Sequence, residues 1–412
     1  MLFKKKKLCR LCNSKNLIKV ISLGKTPPAN AFLKRNELKS NEKYIPLDLF
    51  FCNNCSHLQL GIVVNPKTLF KNYVYVSGTS KIFFNHFKLY ANQLIKKHKL
   101  NKDDLVIDIG SNDGTFLSFF KKKKIKILGV DPAKKISNNA NKKKIKTINN
   151  FFSTKIAKKI FTKYGKAKVI SANNVFAHID NLSSFMTGIN LLLKNDGIFV
   201  TEFSYVKDVI EKKLFDTIYH EHLDYHSLTP LVKFFKKFNL YISEIKKNNS
   251  HGGSLRLVVK KYYDKKNLLM NKNVKSFFNN EINMKINKIA KYKTFNNEIK
   301  RYKELSVNFF SKIDKKKTIA GYGAPAKLTT LTHYLKIGKR INFIFDDNNL
   351  KIGLYTPGYR IKVYDPKFLY KFMPDYTIIF AWNFSKSIIK KHRKYLELGG
   401  KFIMPYPKFI VI

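Results

Sequence analysis

The stretch that decides the fold is LVIDIGSNDGTFLSFFKKKKIKILGVDP, residues 105–132. Its first apolar run, 105–109, carries one acid, Asp108, and leads into the turn Gly110–Gly114. An amphipathic segment follows, and a second apolar run ends on Asp131. This pattern predicts a strand, a glycine-rich turn, a helix and a second strand that ends on an acid.

A βαβ unit of this kind binds a nucleoside at the carboxyl ends of its strands. The turn lets a ligand approach the backbone, and the acid that ends the second strand, here Asp131, accepts hydrogen bonds from a ribose diol. The turn holds two glycines where the dinucleotide fingerprint has three, so a pyrophosphate is not the expected ligand of this turn. The alternative is an ordinary α/β crossover that binds nothing.

Length and composition set the broad class of protein. The chain has 412 residues, too many for one core, and 44% of them are apolar, so we expect two or three domains. No uninterrupted apolar run approaches the roughly 20 residues that span a bilayer. The basic start lacks the apolar stretch of a secretory signal. We therefore expect a soluble cytoplasmic protein with no membrane partner.

The net charge of +53 raises the question of nucleic-acid binding. Lysine dominates over arginine, however, and the lysines are spread over the whole chain rather than collected in one tail. Bidentate recognition of phosphates and bases favours arginine. We therefore do not expect a nucleic-acid partner, although a positive field would help to recruit an anionic small substrate. The sequence does not predict the oligomeric state.

The cysteines occur as two C-x-x-C pairs, Cys9 with Cys12 and Cys52 with Cys55. Each pair can hold one face of a tetrahedral ion, and four thiolates leave no position open for water, so the spacing predicts a structural zinc ion. With no cysteine left over and no secretion signal, zinc is expected rather than disulfides. We expect His57, beside the second pair, to face solvent rather than to bind the metal.

Strand-like apolar runs continue after the opening unit, and they are found at 145–148, 169–175, 197–203, 240–245 and 254–260. Their alternation with helical segments predicts a mostly parallel sheet covered on both faces. The last two runs are joined by a short 248–253 connection typical of a hairpin, so the last strand should run antiparallel to its neighbours.

The remaining sequence predicts one or two long helices at 267–312 and then a second α/β pattern resembling half of a Rossmann fold. In that pattern, Gly321–Lys327 is a turn that opens a helix. The turn would offer backbone N–H groups and the charge of Lys327 to an anion, or it would serve packing alone. Both interpretations stay open.

The densest polar cluster is YHEHLDYHS, residues 219–227, which follows the run that ends at Phe203. A histidine there can take a proton near neutral pH, a neighbouring glutamate can orient it, and a tyrosine hydroxyl can donate to an enolate oxygen. Two alternatives are a metal site and a structural cluster buried in the core. The metal site would use His220, Glu221, His222 and His226.

Five motifs together resemble a known family. The pattern D-x-G-S-N-D-G…G-V-D-P resembles class I S-adenosylmethionine-dependent methyltransferases. With the two C-x-x-C pairs before it, N-V-F-A-H and Y-H-E-H within the core and G-Y-G-A-P-A-K after it, the chain resembles the sugar C-methyltransferases that act on nucleotide-linked 4-keto-deoxysugars. The resemblance covers nearly the whole chain.

The resemblance implies an α/β protein in three parts. These are a zinc-binding domain at 1–70, a seven-stranded class I methyltransferase core with its linker at 71–265, and a helical strut with a Rossmann-like domain at 266–412. It also implies a nucleotide-sugar substrate, S-adenosylmethionine as the methyl donor and Zn²⁺ as a structural ion. The reaction would remove the C3 proton beside the C4 ketone and methylate the enolate carbon.

Site residues follow from the same resemblance, residue by residue. His222 matches the catalytic base, Glu221 and Tyr219 its supporting residues, and His178 a second histidine of the pocket. A tyrosine of the linker, Tyr73 or Tyr75, would also reach in. The residues expected to bind the cofactor are Asp108, Gly110, Ser111, Asn112, Asp113, Asp131, Asn173 and Asn174. The residues expected to bind zinc are Cys9, Cys12, Cys52 and Cys55.

Two further functions stay open from the sequence. One is an O- or N-methyltransferase, in which the Y-H-E-H cluster deprotonates a hydroxyl or an amine. It differs from the first reading in that solvent deuterium would not enter a substrate carbon before methylation. The other is a zinc-bearing nucleic-acid-binding protein with the methyltransferase fold as a scaffold, which would show steeply salt-dependent binding.

Overall fold

The computed structural model of the chain describes residues 2–70, 78, 81–262, 271–406 and 409–412. The N-terminal part forms two small antiparallel sheets. Its elements are β1 (Phe3–Lys5), β2 (Leu17–Thr26), β3 (Ile45–Cys52), β4 (Leu58–Leu60), β5 (Ile62–Val64) and α1 (Pro66–Phe70). β1 pairs with β5, and β2, β3 and β4 form the second sheet together with β11 (Asp224–Tyr225) from the middle part. Alternate residues of β3 are buried, because one face of this sheet covers a core and the other is partly open.

The middle part is built on a seven-stranded sheet. Its elements are α2 (Lys81–Lys97), β6 (Leu105–Ile109), α3 (Thr115–Lys121), β7 (Lys126–Val130), α4 (Lys134–Lys142), β8 (Thr147–Ile148), α5 (Thr154–Tyr164), β9 (Ala167–Asn173), α6 (Leu182–Leu192), β10 (Leu193–Ser204), α7 (Val206–Glu211), β11 (Asp224–Tyr225), α8 (Leu228–Lys236), β12 (Leu240–Asn248) and β13 (Ser254–Lys261). All five residues of the central strand β6 are buried, because helices cover both faces of the sheet.

The strand order is β12-β13-β10-β9-β6-β7-β8, and every neighbouring pair is parallel except the two that involve β13. The predicted seven-stranded methyltransferase sheet with an antiparallel last strand is therefore confirmed. Several predicted bounds differ from the structure. β10 begins at Leu193 rather than at residue 197, and β9 stops at Asn173 rather than Val175. Asn174 takes a φ of 56°, in the left-handed region, and this conformation ends the strand.

The C-terminal part starts with two helices and continues with a six-stranded sheet of order β16-β15-β14-β17-β18-β19. The elements are α9 (Lys272–Asn283), α10 (Ile289–Ser311), β14 (Ile319–Tyr322), α11 (Ala326–Tyr334), β15 (Phe343–Phe345), β16 (Val363–Tyr364), α12 (Leu369–Phe372), β17 (Tyr376–Ile379), α13 (Ser385–Lys391), α14 (Arg393–Glu397), β18 (Lys401–Met404) and β19 (Ile410–Val411). The pairs are parallel except β18 with β19. The second α/β domain is thus confirmed.

The two long helices hold the parts together. Glu281, buried on α9, accepts hydrogen bonds from the N–H groups of Leu228 and Thr229 at the start of α8. Tyr292 on α10 packs against Phe51 of β3, with ring centroids 5.1 Å apart. The predicted strut is therefore a pair of helices that contacts both preceding parts. Among the helices of the described ranges, none is long and apolar enough to cross a membrane.

Candidate active site and metal centre

The four cysteines converge although two of them are some 40 positions from the others. Their Sγ atoms all lie within 4.8 Å of one another. Cys9 Sγ is 3.6 Å from Cys55 Sγ, and Cys12 Sγ is 3.5 Å from Cys52 Sγ. Zn–S bonds of about 2.3 Å in a tetrahedron place the sulfurs about 3.8 Å apart, so this cluster fits a zinc ion closed on all four sides. The zinc is structural.

The four-stranded sheet connects this metal centre to the middle part of the protein. β11 pairs with β4, the strand that follows the second C-x-x-C pair. His57 is consequently buried, and its Nε2 lies 2.7 Å from Asp224 Oδ1. The expectation that His57 faces solvent is therefore wrong. Arg10, which lies inside the first pair, is also buried and donates to Asp180 Oδ1 at 3.2 Å.

A cavity of about 1220 Å³ lies where the three parts meet. Residues at the carboxyl ends of β6, β7, β9 and β10 line one side of the cavity. Residues at the carboxyl ends of β14, β15 and β17 line the other side. Asn30 of the N-terminal part also faces it. Ligands of α/β sheets bind outside the carboxyl ends of the strands, and here two sheets present those ends to one space.

At the end of the cavity in the middle part, Asp131 holds the turn after β6. Its Oδ2 accepts from Asn112 N at 2.9 Å and its Oδ1 from Ala133 N at 2.8 Å. Gly110 has a φ of 70°, and a Cβ there would collide with Val175. A side chain at this position would thus fill the space over the turn.

Several polar side chains of residues that line this end are buried without partners. The Ser111 hydroxyl and both polar atoms of the Asn173 side chain are buried and have no hydrogen-bond partner among the described residues. Asp108 is buried too and accepts from Ser171 Oγ at 2.6 Å, and burial raises the pKa of its carboxyl to about 7. Unsatisfied buried donors and acceptors are costly, so they indicate a bound polar ligand.

The predicted cofactor residues Asp108, Gly110, Ser111, Asn112, Asp113, Asp131, Asn173 and Asn174 all line this cavity. The set fits S-adenosylmethionine: a glycine turn open to the backbone, an acid at the end of β7 and orphaned amide and hydroxyl groups between them. Asn150 and Phe151, which follow β8, line the same end and were not foreseen from the sequence.

The histidine expected as the base is held from both sides. His222 Nδ1 lies 2.9 Å from the carbonyl oxygen of Thr217, and His222 Nε2 lies 2.7 Å from the Tyr219 hydroxyl. A carbonyl accepts only, so Nδ1 carries the proton and Nε2 is the lone-pair nitrogen. The ring therefore presents a base towards the cavity that both His222 and Tyr219 line.

Glu221 lines another wall of the same cavity. Its carboxyl is buried and accepts from Asn30 Nδ2 at 2.6 Å. Burial raises the pKa of Glu221 to about 7, against the opposite effects of Asn30 and Lys351. Glu221 is therefore held by the N-terminal part and influenced by the C-terminal part, while Thr217 and Tyr219 orient the His222 ring. No sequence motif indicated Asn30, Thr217 or Lys351 at this site.

The other histidines divide between cavity and core. The His178 ring stands edge-on to that of His222, with centroids 5.0 Å apart, and burial lowers the pKa of His178 to about 4. His220 Nε2 donates to Ile45 O at 3.1 Å, and His226 stacks on Phe176 in the core. In the described ranges the cysteines are the one group placed to hold a metal, so the alternative metal site is not found. Tyr73 and Tyr75 lie outside the described residues.

Three family models match the chain in order: a putative zinc binding domain at 9–70, a methyltransferase domain at 86–245 and a C-methyltransferase C-terminal domain at 249–407. C-methyltransferase NovU of Streptomyces niveus is 31% identical over 406 residues, which are 98% of this chain and 96% of that protein. The chain belongs to the C-methyltransferase family. It is a methyltransferase that depends on S-adenosylmethionine.

Solved structures match part of this C-methyltransferase. Magnesium protoporphyrin IX methyltransferase ChlM of Synechocystis PCC 6803, with bound SAH, is 14% identical and covers 48% of this chain and 100% of its own, with a TM-score of 0.37. The PH0226 protein of Pyrococcus horikoshii OT3 is 13% identical and covers 46% and 95%, also with a TM-score of 0.37.

Proposed function

We propose that this C-methyltransferase acts on a nucleotide-linked 4-keto-deoxysugar and methylates the carbon next to the ketone. The observation that carries the proposal is the pair His222 and Tyr219, a fixed base and a hydroxyl donor side by side in a cavity that can hold two ligands. Ligand sites commonly measure about 300–1,000 Å³. A volume of about 1220 Å³ shared between two sheets leaves room for a second molecule beside the methyl donor.

S-adenosylmethionine, held by Asp131, Asn173 and the turn after β6, would supply an electrophilic methyl group. His222 Nε2 takes the proton from C3 of the sugar, which the neighbouring C4 ketone acidifies. The Thr217 carbonyl holds Nδ1–H and so stabilises the imidazolium that forms. Tyr219 donates to the enolate oxygen, which replaces His222 Nε2 as its acceptor. The electron pair left at C3 is then the nucleophile.

Glu221 serves the same step from the other wall. Because burial raises its pKa to about 7, a large fraction of Glu221 is protonated near neutral pH and can donate a hydrogen bond to the substrate oxygen. Neutral His178 beside His222 adds no like charge when His222 takes the proton. The linker tyrosines and the division of the chain at 70 and 265 stay predictions.

The test uses the zinc-loaded full chain with a nucleotide-linked 4-keto-deoxysugar in deuterated water, with S-adenosylhomocysteine present. We expect deuterium to enter C3 of the sugar, because His222 removes that proton before any methyl transfer. His222→Asn should lower both exchange and methyl transfer about 10²–10⁴-fold, the usual worth of general-base assistance.

The matched control is His98→Asn, the same chemical change outside the cavity at the end of α2. It should leave both rates unchanged, and both variants should bind S-adenosylhomocysteine as the wild type does. Methyl transfer without exchange at carbon would indicate an O- or N-methyltransferase and would refute the proposal. Normal turnover by His222→Asn would remove His222 from the role of base.

A further inference from the structure

Arg10 lies between Cys9 and Cys12, and its side chain takes no part in the sulfur cluster. The guanidinium is fully buried. Burying a charge is costly unless its N–H groups find acceptors, and buried ion pairs are weak evidence of a role in stability, because the cost of removing charges from water can exceed their attraction. The partners of Arg10 therefore indicate what it does.

The guanidinium donates to four acceptors from separate segments of the chain. Nη1 donates to Leu60 O at 2.9 Å and to Leu223 O at 3.2 Å. Nη2 donates to Ile62 O at 3.3 Å, and Nε donates to Asp180 Oδ1 at 3.2 Å. The planar, rigid fork of an arginine can fix such a set of acceptors relative to one another, which the point charge of a lysine cannot do.

Two of these acceptors flank the histidines of the cavity. Leu223 directly follows the proposed base His222, and Asp180 lies two positions after His178 and lines the cavity. The two segments also join each other, because Leu223 N donates to Ala177 O at 2.8 Å. The guanidinium therefore bridges the two stretches of backbone that carry the histidine rings, whose centroids are 5.0 Å apart.

The other two acceptors belong to the N-terminal part. Leu60 ends β4 and Ile62 begins β5. The backbone N–H of Arg10 donates to Gln59 Oε1 at 2.8 Å, and Cys9 of the metal centre directly precedes it. Arg10 is thus held at its backbone by the metal centre and the neighbouring sheet, while its side chain reaches the segments that carry the histidines.

Neither acid near the guanidinium depends on it for a partner. Asp180 also pairs with Lys6, at 2.8 Å, and with Lys4, at 3.4 Å. Asp224 Oδ2 lies 4.0 Å from Nε, but Oδ1 of the same residue already lies 2.7 Å from His57 Nε2. The other N–H groups of the fork bind backbone carbonyls, which carry no net charge. The contacts therefore fix positions rather than neutralise a buried acid.

We propose that Arg10 is a positioning residue for the base. It holds the backbone next to His222 and His178, so that His222 Nε2 stays directed at the reacting carbon. This inference rests on the proposed function, because it takes His222 as the base. A misplacement of about 1 Å can slow a reaction about 10²-fold, so loss of the bridge should slow proton removal and leave ligand binding in place.

Arg10→Met removes the donors and keeps an unbranched apolar stem. In the zinc-loaded full chain, kcat and deuterium exchange at C3 should fall about ten-fold or more, while KM for the nucleotide sugar and the affinity for S-adenosylhomocysteine change less than about two-fold. A residue that served stability alone would lower Tm and leave kcat of the folded protein unchanged.

Arg340→Met is the matched control. Arg340 is a half-buried arginine that also donates to backbone carbonyls, those of Ile313 and Asp314, but it lies outside the cavity. Its replacement should change neither kcat nor the rate of exchange.

Combining Arg10→Met with His222→Asn shows whether Arg10 acts through the base. Once the base is gone, loss of Arg10 should lower the residual exchange no further, so the two effects are not additive. Equal losses in both backgrounds, or a wild-type exchange rate in Arg10→Met, would overturn the inference and leave the proposed function standing. Absence of exchange in the wild type would remove the proposed function, and this inference with it.

Arg10→Lys decides the question should Arg10→Met not fold. It keeps a positive charge beside Asp180, but one ammonium cannot hold all three carbonyls in place. Both rates should therefore still fall, about three-fold, with the zinc content of the wild type. A folded Arg10→Lys with wild-type kcat and wild-type exchange would contradict a positioning role for the guanidinium.

Discussion

The middle and C-terminal α/β parts open with the same backbone construction. In the middle part, Gly110 N donates to Val130 O at 2.7 Å, and Asp131 accepts from Asn112 N and Ala133 N. Here a glycine with positive φ turns the chain away from the first strand, and an acid after the second strand ties the turn down.

The C-terminal part repeats this arrangement with other residues. Gly323 N donates to Phe345 O at 2.7 Å, and Asp346 accepts from Ala324 N and Asn348 N. Gly323, like Gly110, has a positive φ, of 87°. The sequence showed only a shared plan, because the residue types around the two turns differ almost throughout.

The turns differ in length, and that difference separates their chemistry. The first runs through Asn112 and Asp113 before α3 begins at Thr115. The second reaches α11 directly after Pro325 and brings Lys327 to the cavity. The same backbone arrangement thus presents acids and amides in the middle part and a buried lysine in the C-terminal part. We therefore expect the two ends of the cavity to take different ligands.

The largest expected effect concerns the residue two positions before each glycine, Asp108 in the middle part and Gly321 in the other. Burial raises the pKa of Asp108 from 3.8 to about 7. Between these two pH values the folded state binds more protons than the unfolded state. The free energy of unfolding therefore falls as the pH rises. Each unit of pKa shift is worth about 1.4 kcal/mol, so Asp108 accounts for a decrease of a few kcal/mol.

Urea unfolding of wild type and Asp108→Asn from pH 4 to pH 8 measures this contribution. The wild type should lose stability relative to the variant as pH rises to about 7, and the gap should stay constant above it. Gly321→Ala, whose Cβ would meet Ile344 and Phe380, should lower stability by one amount at every pH. A parallel course for wild type and Asp108→Asn would contradict the burial of a titrating carboxyl.

The two strand-end acids provide the next test. Asp131→Ala removes the acceptor that ties the first turn and the group proposed for the ribose diol. Hydrogen bonds to charged groups are worth about 1.5–3 kcal/mol, so the affinity for S-adenosylhomocysteine should fall about 10- to 150-fold. Asp346→Ala removes the corresponding acceptor in the other part and should leave that affinity unchanged. Equal losses in a calorimetric titration would show that the two ends are not distinct.

Much of the fold and of the cofactor site could be predicted because it depends on the local sequence pattern. The strands alternate with helices at regular spacing, and Asp131 and the cysteines are marked by their distance from other motif residues. What the sequence missed depends on contacts between parts. Asn30 meets Glu221 across 191 positions, and β11 covers His57 from 167 positions away. The periodicity of apolar residues in a short segment does not reveal contacts between residues so far apart in the chain. For this reason His57 was expected to face solvent.

The smallest expected effect lies where the two α/β parts meet. Lys351, buried in the C-terminal part, donates to Ala324 O at 2.7 Å, and its charge lowers the pKa of Glu221 against the raising effect of burial. Lys351→Met removes that charge, so the pKa of Glu221 should move further up. The ionisation of Glu221 in the pH profile of kcat/KM should then shift to higher pH, by about one unit or less, since burial remains the larger influence.

Glu221→Gln identifies that ionisation, because it should delete it from the profile in either background. Lys362→Met, a half-buried lysine of the same domain outside the cavity, is the control for loss of charge and should leave the profile unshifted. A shift to lower pH in Lys351→Met would mean that the C-terminal part does not act on Glu221 through this charge. The two parts would then share the cavity without sharing the electrostatics of the catalytic step.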